Sequence, residues 1–263
     1  MRLKEYCSRL GLKTLPPATP NGLAALQLAQ RQAIPFENID VLLGREIRID
    51  DDAVFAKLIS DRRGGYCFEQ NILLASAVRA MGIAVRPVLA RVWLSADSTP
   101  PLTHMALLAT LDDGDWLMDA GFGGGYCPPI RLIDGATVAG SDGPSYRLSH
   151  DVQTGWMLER SYEGIMTRQF GFDPARVCPA DIALSNHWTS THPSSRFTRH
   201  LIVNRISSDG RMSLTDQKLD RIDGMETIGS PARLAEILER EFSLIVSTEK
   251  AAILARRIGI LST

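Results

Sequence analysis

The feature of this sequence that most constrains its fold is a change of pattern near residue 83. Before it, helix signals dominate: Thr19-Pro20 has the form of an N-cap followed by a first helical proline, and Asp50-Asp51-Asp52 opens a helix from Ala53 to Ser60. After it, short β-like runs alternate with turn residues as far as Phe170. The remainder mixes short strands with helices. This order predicts a helical first third, a small antiparallel barrel or strongly curved sheet, and then a mixed part.

Composition and charge narrow the classes of function. The chain has 263 residues, of which 44% are hydrophobic and 22% are charged, as in ordinary globular proteins. Lys and Arg number 29 and Asp and Glu number 30, so the formal charge of -1 gives no indication of binding to nucleic acid or an anionic membrane. No apolar run has the length of a signal-peptide core or a membrane span, and we therefore expect a cytoplasmic protein.

The four cysteines do not form a metal-binding or redox motif. Cys7, Cys67, Cys127 and Cys178 lie far apart, with no Cys-x-x-Cys pair. They could form two disulfides, but a chain without a secretory signal favours reduced thiols. No cluster of histidines and cysteines supplies three or four ligands at close spacing, so we expect no metal site.

One cysteine stands where a thiol can become reactive. In Arg62-Arg63-Gly64-Gly65-Tyr66-Cys67-Phe68-Glu69, two glycines allow a tight turn, and Cys67 begins a helical pattern that ends near Gly82. Free N–H groups and the positive end of the helix dipole favour a thiolate at this position. The alternative is that Cys67 is a small buried apolar residue, which is the commoner role of cysteine.

A nucleophilic cysteine needs a base and a group that orients the base. His104 begins an apolar strand, where a polar residue is unexpected, and Asp119 ends another apolar strand at a glycine-rich loop. If Asp112-Asp113-Gly114-Asp115 is the hairpin turn between these strands, the two residues are diagonal neighbours. Alternatively, His104 is an ordinary core or surface histidine and Asp119 a turn residue. The other histidines compete for the role of base: His150, His187, His192 and His200.

Several motifs together resemble the arylamine N-acetyltransferase family. They are, in chain order, Ile34-Pro35-Phe36-Glu37-Asn38, Arg63-Gly64-Gly65-Tyr66-Cys67-Phe68-Glu69, His104, Asp119-Ala120-Gly121-Phe122-Gly123-Gly124 and Ser190-Thr191-His192-Pro193-Ser194-Ser195-Arg196-Phe197. Their combination is specific and covers nearly the whole chain. The resemblance implies an α+β fold with a cysteine-protease-like catalytic core. It has a helical bundle over residues 1–82, an antiparallel β-barrel over 83–190 and an α/β lid over 191–263, with the catalytic groups between the first two.

The resemblance also implies roles for individual residues. Cys67 would be the nucleophile, His104 its base and Asp119 the residue that orients His104. Glu37 and Arg63 would form an internal ion pair that supports the Cys67 loop; from the sequence alone, Glu37 is either a solvated loop acid or a buried partner of a neighbouring arginine. The acceptor pocket would be lined by Phe36, Phe122, Gly124, Tyr126 and Phe197.

By the same resemblance, the protein is an acyltransferase with acetyl-CoA as co-substrate and no permanently bound cofactor. It would move an acetyl group to an arylamine, arylhydrazine or N-arylhydroxylamine by a ping-pong mechanism through acetyl-Cys67. Its partners would be these small molecules, without nucleic acid or membrane, and it would be a monomer or homodimer. Ala120 and the stiff segment Tyr126-Cys127-Pro128-Pro129 depart from the family pattern, and they bear on acceptor size and the path of CoA.

Other classes of protein use the same three groups. A cysteine hydrolase or transglutaminase-like enzyme would release the acyl group to water or a peptide amine. An amide synthase would close a macrolactam from a carrier-bound thioester. A non-enzymatic small-molecule-binding protein would keep the pocket without the chemistry, which the intact set of Cys67, His104 and Asp119 disfavours.

Overall fold

A computed structural model describes residues 1–94, 96–140, 143–207 and 210–260. The chain up to residue 82 is mainly helical. Its elements are α1 (Leu3–Leu10), α2 (Pro20–Ala33), β1 (Phe36–Glu37), α3 (Ile39–Leu42), α4 (Asp51–Phe55) continued by a π-helical turn (Ala56–Ser60), and α5 (Cys67–Ala80). No helix within the described ranges is long and apolar enough to cross a membrane.

The starts of two of these helices follow local capping signals. Thr19 accepts a hydrogen bond from the Gly22 N–H at 3.1 Å, and Pro20 occupies the first helical position, as the sequence predicts. Asp50 caps α4 by accepting a hydrogen bond from the Ala53 N–H at 2.9 Å. Helix α4 therefore begins slightly earlier than the predicted Ala53, because the cap is the first aspartate of the acidic run.

The middle of the chain forms an antiparallel sheet of eight strands in the order β5-β4-β3-β2-β9-β8-β7-β6. The strands are β2 (Ala84–Val92), β3 (Leu102–Leu111), β4 (Gly114–Met118), β5 (Ile130–Arg131), β6 (Thr137–Ala139), β7 (Ser145–Asp151), β8 (Gly155–Tyr162) and β9 (Ile165–Phe172). Alternate side chains form an apolar interior that includes Val88, Leu108, Leu158 and Phe170. The sheet curls into a nearly closed barrel, as the spacing of the β-like runs predicts.

The rest of the chain combines helices with a second antiparallel sheet. The elements are α6 (Pro179–Thr191), α7 (Arg196–Arg199), β10 (Ile202–Ser207), β11 (Gly210–Thr215), β12 (Lys218–Arg221), β13 (Gly224–Thr227), α8 (Pro231–Arg240) and α9 (Thr248–Arg257). The sheet has the order β1-β10-β11-β12-β13, and its apolar side shares a core with α8 and α9. The predicted succession of helical part, antiparallel barrel and mixed part is confirmed, and the domain limits after residues 82 and 190 stay a prediction.

Strand β1 has no signal in the sequence. Phe36 pairs with Asn204 of β10, and the Glu37 N–H donates to the carbonyl oxygen of Gly65 at 3.1 Å. A two-residue strand has no period of its own, so local pattern cannot reveal it. The pairing ties this segment to the last sheet and places it beside the turn that precedes Cys67.

Candidate active site

Cys67 is the first residue of α5 and is almost fully buried, with 2% of its surface exposed. Glu69 supports the start of the helix, because its Oε2 accepts a hydrogen bond from the Tyr66 N–H at 3.1 Å. The N–H groups of the first turn have no partners within the helix. A Cβ atom at Gly64 would lie 2.4 Å from the carbonyl oxygen of Pro35, so the turn needs glycine for close packing.

His104 and Asp119 are in direct contact. Nε2 of His104 lies 2.7 Å from Oδ2 of Asp119, and both side chains are buried. The register of β3 and β4 pairs Leu107 with Met118, which makes Asp119, one residue beyond β4, a diagonal neighbour of His104 on the same face. This is the relation that the predicted hairpin requires.

Cys67 lies beside the same imidazole. Its Sγ is 3.8 Å from the carbonyl oxygen of Thr103, and a hydrogen bond to Cys67 helps to raise the pKa of His104. Because Nε2 faces Asp119, Nδ1 is the ring nitrogen left to serve Cys67. The side chains are thus arranged in the order that a nucleophile, a base and an orienting group need.

The surroundings hold His104 and Asp119 as an ion pair. Burial opposes the charge on His104, but the Asp119 carboxylate, its hydrogen bond and Cys67 together raise the pKa of His104 to about 10. Burial also opposes the charge on Asp119, but His104, the Asn71 side chain and the Gly121 N–H lower the pKa of that carboxyl below its usual range. Cys67 therefore lies beside a positively charged imidazolium.

Two buried amides position Asp119, and neither was predicted from the sequence as a site residue. Asn71 Nδ2 donates to Asp119 Oδ1 at 2.9 Å, and Gln27 Oε1 accepts a hydrogen bond from the Asp119 N–H at 2.8 Å. Asn71 lies one helical turn after Cys67, so the two share a face of α5. A polar residue at that position precedes the apolar run Ile72-Leu73-Leu74, and buried polar side chains need partners; this was the available signal.

The loop that follows Asp119 passes directly over the start of α5. The Gly121 N–H donates to Asp119 Oδ1 at 2.7 Å. A Cβ atom at Gly121 would lie 2.5 Å from Cα of Cys67, and one at Gly123 would lie 3.0 Å from the ring of Phe36. Glycine at these positions is what allows the loop to close over the thiol.

The aromatic residues expected to line the acceptor pocket form two groups. Phe36 and Phe197 contact each other, with ring centroids 5.9 Å apart. Phe122 lies with its ring centroid 5.3 Å from that of His104. Phe170, which was not among the predicted pocket residues, packs against both His104 and Phe122, with ring centroids 4.9 and 5.3 Å apart. Interior strand residues such as Phe170 have no sequence signal that separates a site wall from ordinary core.

Gly124 and Tyr126 lie further along the same loop. A Cβ atom at Gly124 would lie 2.9 Å from the ring of Phe122, and the Gly124 carbonyl oxygen accepts a hydrogen bond from Arg211 of β11 at 2.9 Å. Tyr126 is buried. The loop therefore connects the barrel with the last sheet through Arg211.

The Cys67 loop is surrounded by buried charges. Arg63 pairs with Glu37 at 3.0 Å and with Asp40 at 2.9 Å, so Glu37 is a buried, paired acid. Lys57, in the π-helical turn, reaches Glu69 at 2.7 Å and Asp40 at 3.0 Å. Burial would lower the pKa of Lys57, but the carboxylates of Glu69, Glu37 and Asp40 raise it above its usual range.

The competing histidines have other surroundings. Three of them have partners elsewhere: the ring of Trp156 for His150, the ring of Trp188 for His192, and the Asp216 carboxylate for His200. His187 is exposed on α6. Within the part of the chain that the structure describes, no group of three or more His, Cys, Asp or Glu side chains is placed to hold a metal ion, and the cysteines are free thiols.

Comparison with known proteins identifies the same family that the sequence motifs suggest. Residues 21–251 match the family described as N-acetyltransferase. The arylamine N-acetyltransferase / N-hydroxyarylamine O-acetyltransferase of Salmonella typhimurium is 37% identical over 256 residues, which cover 94% of this chain and 90% of that protein.

Solved structures share the fold. The arylamine N-acetyltransferase from Salmonella typhimurium has a TM-score of 0.91 at 34% identity, covering 97% of this chain and 98% of that chain. The Mycobacterium marinum arylamine N-acetyltransferase in complex with CoA has a TM-score of 0.89 at 28% identity, covering 99% of this chain and 100% of that chain. The resemblance inferred from the sequence is confirmed, and the chain belongs to the arylamine N-acetyltransferase family, a group of acyltransferases.

Proposed function

We propose that this protein transfers an acetyl group from acetyl-CoA to an arylamine, arylhydrazine or N-arylhydroxylamine through an acetyl-Cys67 intermediate. The observation that carries the proposal is the buried contact of His104 with Asp119 at 2.7 Å, beside the thiol of Cys67, in a chain of this family. Relatives named for arylamine acetylation, and one solved in complex with CoA, support the choice of substrates.

In the first half-reaction, Cys67 and His104 start as thiolate and imidazolium. The thiolate attacks the thioester carbonyl carbon of acetyl-CoA, and a bond forms between that carbon and Sγ. The free N–H groups of the first turn of α5 stabilise the tetrahedral oxyanion. The bond to the CoA sulfur then breaks, and the leaving sulfur takes the proton of His104, so that acetyl-Cys67 and a neutral imidazole remain.

In the second half-reaction, the nitrogen of the acceptor attacks the acetyl carbonyl on Cys67. Neutral His104 takes the proton from that nitrogen, and the Cys67 thiolate leaves, which restores the starting ion pair. Asp119 keeps the imidazole in one orientation through both steps. Because CoA departs before the acceptor reacts, the kinetics are ping-pong.

The acceptor pocket in this proposal is lined by Phe36, Phe122, Gly124, Tyr126 and Phe197. Aromatic walls favour a flat aryl acceptor through apolar contact and ring packing. Glycines in the loop over the thiol allow the pantetheine arm of acetyl-CoA to approach closely. In this proposal the aromatic part of the site binds the acceptor, and the glycine-rich loop binds acetyl-CoA.

Three further assignments belong to the same proposal. Glu37 and Arg63 support the Cys67 loop through their 3.0 Å ion pair and take no part in the chemistry. Residues 1–82, 83–190 and 191–263 act as three domains, the last as a lid. A nucleophilic thiol has to stay reduced, which fits a cytoplasmic location, and the protein acts as a monomer or homodimer.

Assays with acetyl-CoA and a panel of arylamines and arylhydrazines test the proposal. We expect acetylated acceptor and free CoA in equal amounts, with the parallel double-reciprocal lines of a ping-pong mechanism. Cys67→Ala should abolish product formation without unfolding the protein, and Cys178→Ser, at an exposed thiol, should keep full activity. Acetylated acceptor from Cys67→Ala would contradict the proposal. Free acetate formed without any acceptor would instead indicate a hydrolase.

A further inference from the structure

Helix α2 presents buried polar side chains to the catalytic elements. Gln27, Gln30 and Arg31 are each no more than 1% exposed, although the buried face of a helix is usually apolar. Gln30 donates to the carbonyl oxygen of Gln70 at 2.8 Å. Gln27 and Arg31 are one turn apart and share a face, which we call the polar face of α2. This face contacts the loop that follows Asp119.

The polar face of α2 holds that loop at three points. Gln27 Oε1 accepts a hydrogen bond from the Asp119 N–H at 2.8 Å, and Gln27 Nε2 donates to the Cys127 carbonyl oxygen at 2.7 Å. Between these points, Arg31 Nη2 donates to the Phe122 carbonyl oxygen at 3.4 Å. Both ends and the middle of the loop are therefore tied to one helix.

Arg31 brings a charge that loop anchoring does not require. The side chain is 1% exposed, and among the residues that the structure describes, Nε and Nη1 find no hydrogen-bond acceptor. A buried guanidinium with donors that find no acceptor is destabilising, and an apolar side chain of similar size would avoid that cost. The fold alone therefore gives no reason for a positive charge at this position.

The titratable and charged groups around Arg31 come from three elements. They are Asp119 and Tyr126 in the loop, Tyr146 in β7 and Arg211 in β11. Burial lowers the pKa of Arg31, and Asp119 is the strongest influence in the opposite direction. An arginine stays charged at neutral pH in proteins. The other arginine in this group, Arg211, is only half-buried, whereas Arg31 is buried beside the Asp119 loop.

The resting triad carries one net negative charge, because Asp119 and Cys67 are negative and His104 is positive. We propose that Arg31 is a positioning residue that fixes the Asp119 loop and supplies the compensating positive charge that keeps Cys67 as a thiolate at neutral pH. The inference rests on the proposed function for the roles of these three residues.

The sign of the effect follows from electrostatics. A fixed positive charge favours each deprotonated state near it. Without that charge, the thiol and then the imidazolium both lose their protons less readily, so both limbs of a pH–reactivity profile move to higher pH. Loosening the loop without a change of charge lowers the rate and leaves the limbs in place.

The test is the pH dependence of alkylation at Cys67 by iodoacetamide, followed by mass spectrometry of the Cys67 peptide without acetyl-CoA. Arg31→Gln keeps a donor for the Phe122 carbonyl and removes the charge, whereas Arg31→Lys keeps the charge. We expect the Gln profile to move to higher pH by about one unit and the Lys profile to stay with the wild type. Gln27→Met loosens the loop without a charge change and should leave the profile in place.

Coincident profiles of wild type and Arg31→Gln would overturn the inference, and so would an equal shift in Gln27→Met. If Arg31→Gln does not fold, Arg31→Lys decides: a folded variant with the wild-type profile supports a need for charge, and an unfolded one overturns it. Alkylation requires neither acetyl-CoA nor an acceptor. A failure of acetyl transfer therefore appears in the product assay alone, with the alkylation profiles still readable.

Discussion

The two sides of the catalytic site are held in different ways. The Cys67 loop is supported by a network of ion pairs made by Glu37, Asp40, Lys57, Arg63 and Glu69. On the other side, Asp119 contacts His104 and otherwise accepts hydrogen bonds from neutral donors, the Asn71 amide and the Gly121 N–H. Charged groups surround the Cys67 loop, whereas the Asp119 carboxylate is held by neutral groups apart from His104.

The difference follows from what each side has to do. In the proposed mechanism Asp119 directs its negative charge at His104, and a second cation in contact would compete for that charge. An amide donates hydrogen bonds without changing its protonation state. The loop around Cys67 has only to stay in place, and a buried ion-pair network resists rearrangement. Changes on the Asp119 side should therefore alter rate more than stability, and changes on the Cys67 side the reverse.

Among substitutions that leave Cys67 in place, the largest effect on rate is expected from Asp119→Asn. The amide keeps the shape of the side chain, but it no longer stabilises the imidazolium or selects the tautomer that serves Cys67. We expect kcat/KM to fall by about 10³–10⁴-fold, with a much smaller change in thermal stability. Steady-state kinetics and thermal unfolding measure the two effects. A near-normal rate would remove Asp119 from its role as the orienting residue.

The largest effect on stability is expected from Lys57→Met. The substitution leaves Glu69 and Asp40 buried without their shared cation, so we expect the free energy of unfolding to fall by about 3 kcal/mol while kcat changes little. The control is Arg48→Met, which breaks an exposed 3.0 Å pair with Asp50 and should cost less than about 1 kcal/mol. Denaturant unfolding measures both variants. Unchanged stability together with a large loss of kcat would reverse the comparison.

Gly121→Ala should show how closely the Asp119 loop has to approach Cys67. The new Cβ atom would lie 2.5 Å from Cα of Cys67, so the loop has to move and carry Asp119 with it. We expect kcat/KM to fall by about 100-fold, as for other small misplacements of catalytic groups. Gly229→Ala, where nothing lies within 4 Å of the added atom, should behave like the wild type. Equal rates for the two variants would show that the loop has room to spare.

The smallest predicted effect is on how the stability of the fold changes with pH. The pKa of His104 is about 10 in the fold and about 6.5 in an unfolded chain, so its pairing stabilises the fold fully below about pH 6.5 and is lost toward about pH 10. Asp119 has a lowered pKa, so its contribution is present above about pH 4 and is lost as pH falls further. The difference in melting temperature between wild type and Asp119→Asn should be largest between about pH 4 and about pH 6.5, where both contributions are present. A difference that grows toward pH 10 would contradict the ion pair.

Site features formed by residues close together in the sequence could be predicted, and contacts between residues far apart in the sequence could not. Cys67 at a helix start follows from two glycines and the helical pattern beside it, and the contact of His104 with Asp119 follows from one hairpin. The hydrogen bond between Gln27 and Asp119 spans 92 positions, and no periodicity in α2 points to that partner. The contact of Arg31 could not be predicted for the same reason, because its hydrogen bond to Phe122 spans 91 positions.

The secondary structure was likewise predictable in some segments and not in others. The longer barrel strands were predictable because alternating side chains and turn residues repeat along the chain, whereas the short strands β5 and β6 were not predicted. The segment Ala53 to Ser60 was predicted as ordinary helix, but Ala56–Ser60 form a π-helical turn. Apolar spacing alone does not distinguish an α turn from a π turn, and this one carries Lys57 into the ion-pair network.

The most direct test of Cys67 as the acetyl carrier is the mass of the protein after reaction with acetyl-CoA in the absence of an acceptor. We predict the gain of a single acetyl group on the Cys67 peptide, its complete loss when an arylamine is added, and acetylated arylamine in equal amount. An acetyl group on any other residue, or acetylated arylamine that forms while acetyl-Cys67 persists, would contradict this role.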